Sequence, residues 1–133
     1  MDAARRRFVN ERAGHRCEYC RLHRDHQAVV ALQVEHITAR QHKGDDSLEN
    51  LALACLRCNL HKGTNLVGLD PETGAVTTLF HPRQHIWSEH FELLDGQIIG
   101  LTVIGRTTAA LFQMNTLDRI ELRLDLVAAG LWK

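Results

Sequence analysis

The stretch Cys55-Leu56-Arg57-Cys58-Asn59-Leu60-His61-Lys62 decides the fold, together with an earlier pair, Cys17-Glu18-Tyr19-Cys20. All four cysteines of the sequence lie in these two Cys-x-x-Cys pairs. Two such pairs at a distance are typical of a zinc site, whereas the disulfide alternative does not suit a reducing cytosol. A zinc site of this kind supplies roughly 10–16 kcal/mol of binding energy coupled to folding. We therefore predict a structural zinc ion bound by four thiolates, those of Cys17, Cys20, Cys55 and Cys58.

Composition narrows the class of protein. The chain has 133 residues, 44% of them hydrophobic, which is ordinary for a globular protein and too high for a disordered one. No apolar run approaches about 18 residues, and the first residues lack the apolar core of a secretory signal. These features predict a cytoplasmic protein with no membrane span.

Charge is unevenly distributed although the total is zero. Residues 1–66 hold 11 Lys/Arg and 8 Asp/Glu, a net +3, and residues 67–133 hold 5 and 8, a net −3. The basic half is the half that contains the cysteines. This asymmetry permits a nucleic-acid ligand there but is weak evidence alone.

The order of predicted elements in the first half is helix, strand, strand, helix. Residues 3–13 predict a short helix that ends near Gly14. Residues 28–37 are β-branched and apolar enough for a strand, and residues 48–54 predict a second strand paired to it. Helical spacing begins at Cys55 and continues to about residue 64.

The second half predicts a small β/α extension. Its predicted strands cover 75–80, 87–94 and 97–104, with a hairpin turn at Asp95-Gly96, and its predicted helices cover 107–115 and 117–129. An apolar stripe in the last helix predicts core, with a dimer seam as the alternative: Leu117, Ile120, Leu124 and Val127. The sequence thus predicts an α+β protein, with a zinc-stapled core over 1–68 and an extension over 69–133 packed on that core.

Between and just after the cysteine pairs lie the side chains that phosphodiester hydrolysis requires. His36 is the candidate general base, because imidazole ordinarily titrates near neutral pH. Glu35 offers a hard oxygen ligand for Mg²⁺ or Mn²⁺, and Asn59 offers a second. Asn50 is expected to hold the His36 ring by accepting its other N–H. Lys62 shares a helix face with Asn59, which predicts a contact to the substrate phosphate.

The adjacency of Glu35 and His36 sets a geometric requirement. Successive residues of a regular strand point to opposite faces, so both side chains reach one site only where the strand frays or bulges. A loop predicted over 38–47 follows directly, and it contains Gly44-Asp45-Asp46. We therefore expect the strand to depart from regular geometry at this point.

Taken together, Glu35-His36, Asn50-Leu51 and the segment 55–62 resemble the signature of the HNH endonucleases in their zinc-stapled form. The resemblance covers roughly residues 10–65 and implies a ββα-metal fold. It also implies that His36 is the general base, that Asn50 orients it, and that Glu35 and Asn59 bind one catalytic divalent metal. Glutamate at 35 replaces the commoner aspartate, and Asn59 stands where many members have a histidine.

The function predicted from these features is metal-dependent hydrolysis of DNA, with duplex DNA as the expected substrate. The alternative is a non-catalytic zinc module that binds nucleic acid or protein. The sequence does not distinguish a monomer from a homodimer. It contains no recognisable base-reading element, so sequence specificity is not predicted.

Overall fold

In a computed structural model, described for residues 1–27 and 30–132, the chain divides into two compact units. The first comprises Met1–Leu66 and His81–Ile86, and the second comprises Val67–Phe80 and Trp87–Lys133. Helices and two-stranded sheets are mixed along the chain, which confirms the predicted α+β class. A division into domains at residue 68 stays a prediction.

The first unit opens with helix α1, Ala3–Arg12. Its N-cap is Asp2, whose Oδ1 accepts a hydrogen bond of 2.7 Å from the backbone N–H of Arg5 and so pairs one of the free amides of the first turn. The chain leaves the helix through Gly14, which has a φ of 62°. Glycine adopts this left-handed conformation without steric cost, and the predicted helix is confirmed.

A β-hairpin and a helix follow. Strand β1, Gln33–His36, pairs antiparallel with strand β2, Leu51–Ala54, and His36 lies opposite Leu51. Helix α2, Leu56–Lys62, begins directly after β2. The predicted order of strand, strand and helix is confirmed, but both strands are shorter than predicted. Residues 28 and 29 of the first predicted strand lie outside the described residues, and Leu48–Asn50 forms a 3₁₀ turn.

The core of this unit lies between α1 and the hairpin. Val9, Leu51 and Leu53 are fully buried, with partly buried apolar side chains packed around them. All four residues of β2 are buried, so alternation of polar and apolar residues is absent there. Because a strand buried on both faces shows no polar–apolar alternation, periodicity alone gives only a weak prediction of this strand.

Within the first unit, an ion pair connects the segment His81–Ile86 to the residues of Met1–Leu66. Arg83 forms an ion pair with Glu18, and both side chains are about nine-tenths buried, at 11% exposed. The other carboxylate oxygen of Glu18 accepts a 2.8 Å hydrogen bond from the backbone N–H of Leu53. One buried carboxylate therefore connects the first cysteine pair, strand β2 and the His81–Ile86 segment.

The described residues of the second unit form two hairpins, one short helix and two longer helices. Strands β3, Val67–Leu69, and β4, Val76–Thr78, form one antiparallel pair; β5, Phe91–Leu94, and β6, Gln97–Gly100, form the other. A short helical turn, α3, covers Trp87–His90, and helices α4 and α5 cover Val103–Leu111 and Leu117–Ala128. Asp95 and Gly96 have φ values of 50° and 78°, as the predicted hairpin turn requires.

Three predictions for this unit need correction. The strand predicted over 87–94 begins as helix α3, and the strand predicted over 97–104 ends at Gly100. It ends because Thr102 caps helix α4, its hydroxyl accepting a 3.1 Å hydrogen bond from the Gly105 N–H. Strand β3 was not predicted. The core predicted along the last helix is also wrong in large part, since three of its four members are exposed: Leu117, Leu124 and Val127.

Within residues 1–27 and 30–132, no helix combines the length and the apolar character that crossing a membrane requires.

Candidate active site

The four cysteines converge at the ends of the hairpin. Cys17 and Cys20 lie in the turn after α1, Cys55 is the N-cap residue of α2, and Cys58 lies within α2. Their Sγ atoms all lie within 4.8 Å of one another, and those of Cys20 and Cys55 are 3.7 Å apart. Thiolates at about 2.3 Å from a tetrahedral zinc ion are separated by about 3.8 Å, so the sulfur positions fit zinc.

This cluster has the character of a structural metal site. All four residues are buried, and a bound cation would offset the cost of burying the charge of four thiolates there. Four protein ligands leave a tetrahedral ion no open position for substrate. It is also the one group of three or more Cys, His, Asp or Glu donors with metal-binding geometry in the described part of the chain.

His36, the candidate general base, ends strand β1 beside the following loop. Its Nε2 lies 2.7 Å from Oδ1 of Asp46, and its side chain is 23% exposed. A carboxylate only accepts hydrogen bonds, so Nε2 is the donor in this contact, and in the neutral ring the lone pair is then on Nδ1. Within residues 1–27 and 30–132, Nδ1 makes no hydrogen bond. The ring therefore presents a proton acceptor at the surface.

Asp46 is held in turn by basic side chains. Its carboxylate accepts hydrogen bonds of 3.0 and 3.2 Å from Nη2 of Arg40, and its backbone carbonyl accepts one of 2.8 Å from Arg5 of helix α1. The hydrogen bond with His36, assisted by Arg40, lowers the pKa of Asp46. Asp46 is thus a carboxylate of fixed position that orients the imidazole.

Asn50, the predicted partner of His36, closes the base of the loop instead. Its Oδ1 accepts a 2.8 Å hydrogen bond from the Thr38 N–H, and its Nδ2 donates to the carbonyls of Thr38 and Asp45 at 3.0 and 2.7 Å. Gly44 lies against the same backbone, where a Cβ would come within 1.7 Å of the Thr38 oxygen. We predicted that Asn50 would contact the His36 ring directly. The ring is instead hydrogen-bonded to Asp46, which lies on the loop that Asn50 closes.

Glu35, the predicted metal ligand, points into the interior. The residue is 6% exposed; its Oε1 accepts a hydrogen bond from the Tyr19 hydroxyl, and its Oε2 lies 3.3 Å from Nζ of Lys62. Burial raises the pKa of Glu35, an effect that Lys62 and Tyr19 partly offset. The strand does not fray as we expected, and the alternation of a regular strand separates Glu35 from His36.

Lys62 and Asn59 lie on helix α2 and face strand β1. Nζ of Lys62 donates to the carbonyls of Ile37 and His36 at 2.8 and 3.2 Å, and the residue is 2% exposed. Nδ2 of Asn59 donates a 2.8 Å hydrogen bond to Oε1 of Gln33. Because Glu35 and Lys62 are engaged with each other, this arrangement does not fit a catalytic cation shared by Glu35 and Asn59.

Sequence reasoning missed two members of this site. Asp46 lies in an acidic loop, but no spacing rule indicates which carboxylate of Asp45-Asp46 reaches His36. Tyr19 lies inside the first cysteine pair, where its type gives no sign that its hydroxyl meets Glu35. Both contacts depend on tertiary structure and have no local signal.

Comparison with known proteins finds a family model that matches the cysteine pairs and the residues between them. Residues 17–65 match the family model described as HNH endonuclease. The curated relative "Septu protein PtuB" from Bacillus thuringiensis is 26% identical over 112 residues, which cover 83% of this chain and 40% of that protein. The chain thus spans two fifths of the length of that relative. No solved structure matches the chain.

Proposed function

We propose that this protein hydrolyses DNA phosphodiester bonds with His36 as its general base, on the support of the match between residues 17–65 and the HNH endonuclease family model. The family itself implies a nucleic-acid substrate. The observation that carries the proposal is the partly exposed pair of His36 and Asp46, whose Nε2 and Oδ1 are 2.7 Å apart, within the matched segment. Duplex DNA as substrate and a cytoplasmic location are parts of the same proposal.

In the proposed reaction, Nδ1 of His36 takes a proton from the water whose oxygen attacks phosphorus, the bond from phosphorus to the leaving 3′ oxygen breaks, and that oxygen takes up a proton from solvent. The Nε2–H group of His36 stays hydrogen-bonded to Asp46 throughout. The Asp46 carboxylate fixes the ring and its tautomer, and it stabilises the imidazolium as charge develops. Arg40 holds Asp46 from the other side. Asn50 acts indirectly: it closes the loop that carries Asp46 and makes no hydrogen bond to His36 through its side chain.

The proposal treats the structural zinc ion and the catalytic divalent metal differently. Zinc at the four cysteines would hold the scaffold and supply no step of the reaction. The binding of Mg²⁺ or Mn²⁺ by Glu35 and Asn59 stays a prediction. To bind such an ion, the Glu35 carboxylate would have to break its contacts with Tyr19 and Lys62. No step is assigned to that ion here.

A plasmid assay tests the proposal. Nicking or linearisation of supercoiled plasmid is measured with Mg²⁺, with Mn²⁺ and after brief EDTA treatment, with circular dichroism confirming that the protein stays folded. We expect His36→Ala to lower the cleavage rate by about two orders of magnitude or more with DNA affinity retained. The matched control is His26→Ala, which removes a histidine from the Arg24–His26 turn.

Two results would decide against the proposal. Cleavage by His36→Ala at the wild-type rate would remove His36 from the role of base. A folded, zinc-loaded protein that binds DNA but leaves plasmid intact with either metal would instead favour a non-catalytic zinc module.

A further inference from the structure

The strongest unassigned feature near His36 is the buried ammonium of Lys62. Lysine is almost never fully buried unless it is paired, yet this residue is 2% exposed at the end of helix α2. The chain contains three lysines, at positions 43, 62 and 133. A surface phosphate contact would not require the burial of this one.

The donors of Lys62 are all used within the protein. An ammonium group has three N–H donors. Nζ lies 2.8 Å from the Ile37 carbonyl, 3.2 Å from the His36 carbonyl and 3.3 Å from Oε2 of Glu35. One cation therefore contacts three consecutive residues at the end of strand β1, and none of its donors remains for a phosphate.

These contacts continue to the cysteine cluster. The other oxygen of Glu35 accepts from the Tyr19 hydroxyl, and Tyr19 is fully buried between Cys17 and Cys20. A hydrogen-bonded series thus runs from the cysteine turn through Glu35 and Lys62 to the His36 backbone.

We infer that Lys62 is a positioning residue that fixes the main chain of His36, with Glu35 as its buried counterion, and that it does not bind the scissile phosphate. This inference rests on the proposed function in that His36 is the base being positioned. It accounts for the burial of both charges, because each partner satisfies the other. It also explains why the Glu35 carboxylate, next to His36 in the sequence, is buried against Lys62.

Chemical labelling of the native, zinc-loaded protein tests the placement without any cleavage. Lysines are reductively methylated with labelled formaldehyde and cyanoborohydride as the hydride donor, with and without a duplex oligonucleotide, and each site is quantified by mass spectrometry. We expect Lys43, which is exposed, to react and Lys62 to stay unmodified in both conditions. Reaction of Lys62 at a rate near that of Lys43, with protection by the duplex, would overturn the inference.

Kinetics test the positioning role. Lys62→Met alone leaves Glu35 without its counterion and endangers folding, so the main variant is Glu35→Gln/Lys62→Met, which removes both charges together. We expect about a tenfold to hundredfold lower maximal rate at saturating DNA, as small misplacement of a reacting group produces, with Kd for DNA and its salt dependence unchanged. Lys43→Met is the control for loss of one positive charge.

The outcomes separate the two proposals. A double variant that keeps its maximal rate but binds DNA more weakly, with a reduced salt dependence, would assign Lys62 to the phosphate and overturn the inference. A wild-type protein that never cuts plasmid overturns the proposed function, and with it the role of Lys62 in the reaction. The labelling arm then still decides whether Lys62 is buried against β1 or open to DNA.

Discussion

The cysteine cluster and the His36 loop are built on the same β-hairpin, but they bring side chains together in different ways. The cluster takes four identical donors from two turns and buries all of them around one point. The loop sends adjacent residues to opposite sides, Glu35 into the interior and His36 to the surface. Four identical buried donors around one point suit a single metal ion. The alternation of a strand instead places two adjacent side chains in different surroundings, one buried and one partly exposed.

The largest expected effect concerns the cysteine cluster. Cys58→Ser removes one of the four thiolates that would hold zinc. A structural zinc site of this kind supplies roughly 10–16 kcal/mol, so we expect the first unit to unfold. The measurement is far-UV circular dichroism together with zinc content. Zinc should refold the wild-type protein after chelation but should not refold the variant.

The same variant tests whether the two units fold separately. Both tryptophans, Trp87 and Trp132, lie in the second unit, so their fluorescence reports that unit alone. If the extension is an independent domain, its fluorescence should stay native while the dichroism falls. A native dichroism spectrum in Cys58→Ser would show that the cluster is not what holds the first unit together.

The next effect concerns the buried side of strand β1. Glu35→Gln leaves the Lys62 charge buried without its partner, and breaking a buried ion pair in this way costs about 3–5 kcal/mol. Urea unfolding of the zinc-loaded protein measures the loss, and Glu49→Gln, an exposed carboxylate, is the control. The variant Glu35→Gln/Lys62→Met should recover much of the stability; a loss under 1 kcal/mol for Glu35→Gln would mean that the pair is not buried.

The cysteine cluster was predictable because zinc ligation depends on a few donors at fixed short spacing. The order of strand, strand and helix followed from Gly14, the apolar runs and the spacing after Cys55. The partners of His36, Glu35 and Lys62 were not predictable, since each contact joins residues 10 to 27 positions apart. Helix α3 was missed because its four residues are too few to show a period.

A smaller effect concerns the loop beside His36. Asn50→Ala removes three hydrogen bonds to the backbone of Thr38 and Asp45, each worth about 0.5–1.5 kcal/mol. We expect a loss of stability of about 2–3 kcal/mol and faster amide exchange at Thr38. Cleavage should fall as well, because the loop carries Asp46. Unchanged exchange at Thr38 would show that other contacts close the loop.

The smallest expected effect is on stability at the exposed side of the strand, where Asp46→Asn removes the carboxylate that holds His36. The hydrogen bond with His36 lowers the pKa of Asp46 in the folded protein. Its contribution is therefore present above the unfolded carboxyl pKa of about 3.9 and is lost as pH falls through the lower folded value. The Tm difference between wild type and variant should accordingly shrink and vanish in acid.

A double-mutant cycle makes this last test specific to the pair. In a His36→Ala background, Asp46→Asn should lower the Tm by less than it does in the wild type, because the shared hydrogen bond is already gone. Asp125→Asn, an exposed carboxylate of the second unit, removes the same charge and should be additive with His36→Ala. Additivity of Asp46→Asn with His36→Ala would mean that the two side chains are not coupled. Asp46 would then not orient His36, and the contrast between a buried, structural side of strand β1 and a side that carries the proposed base would no longer be supported.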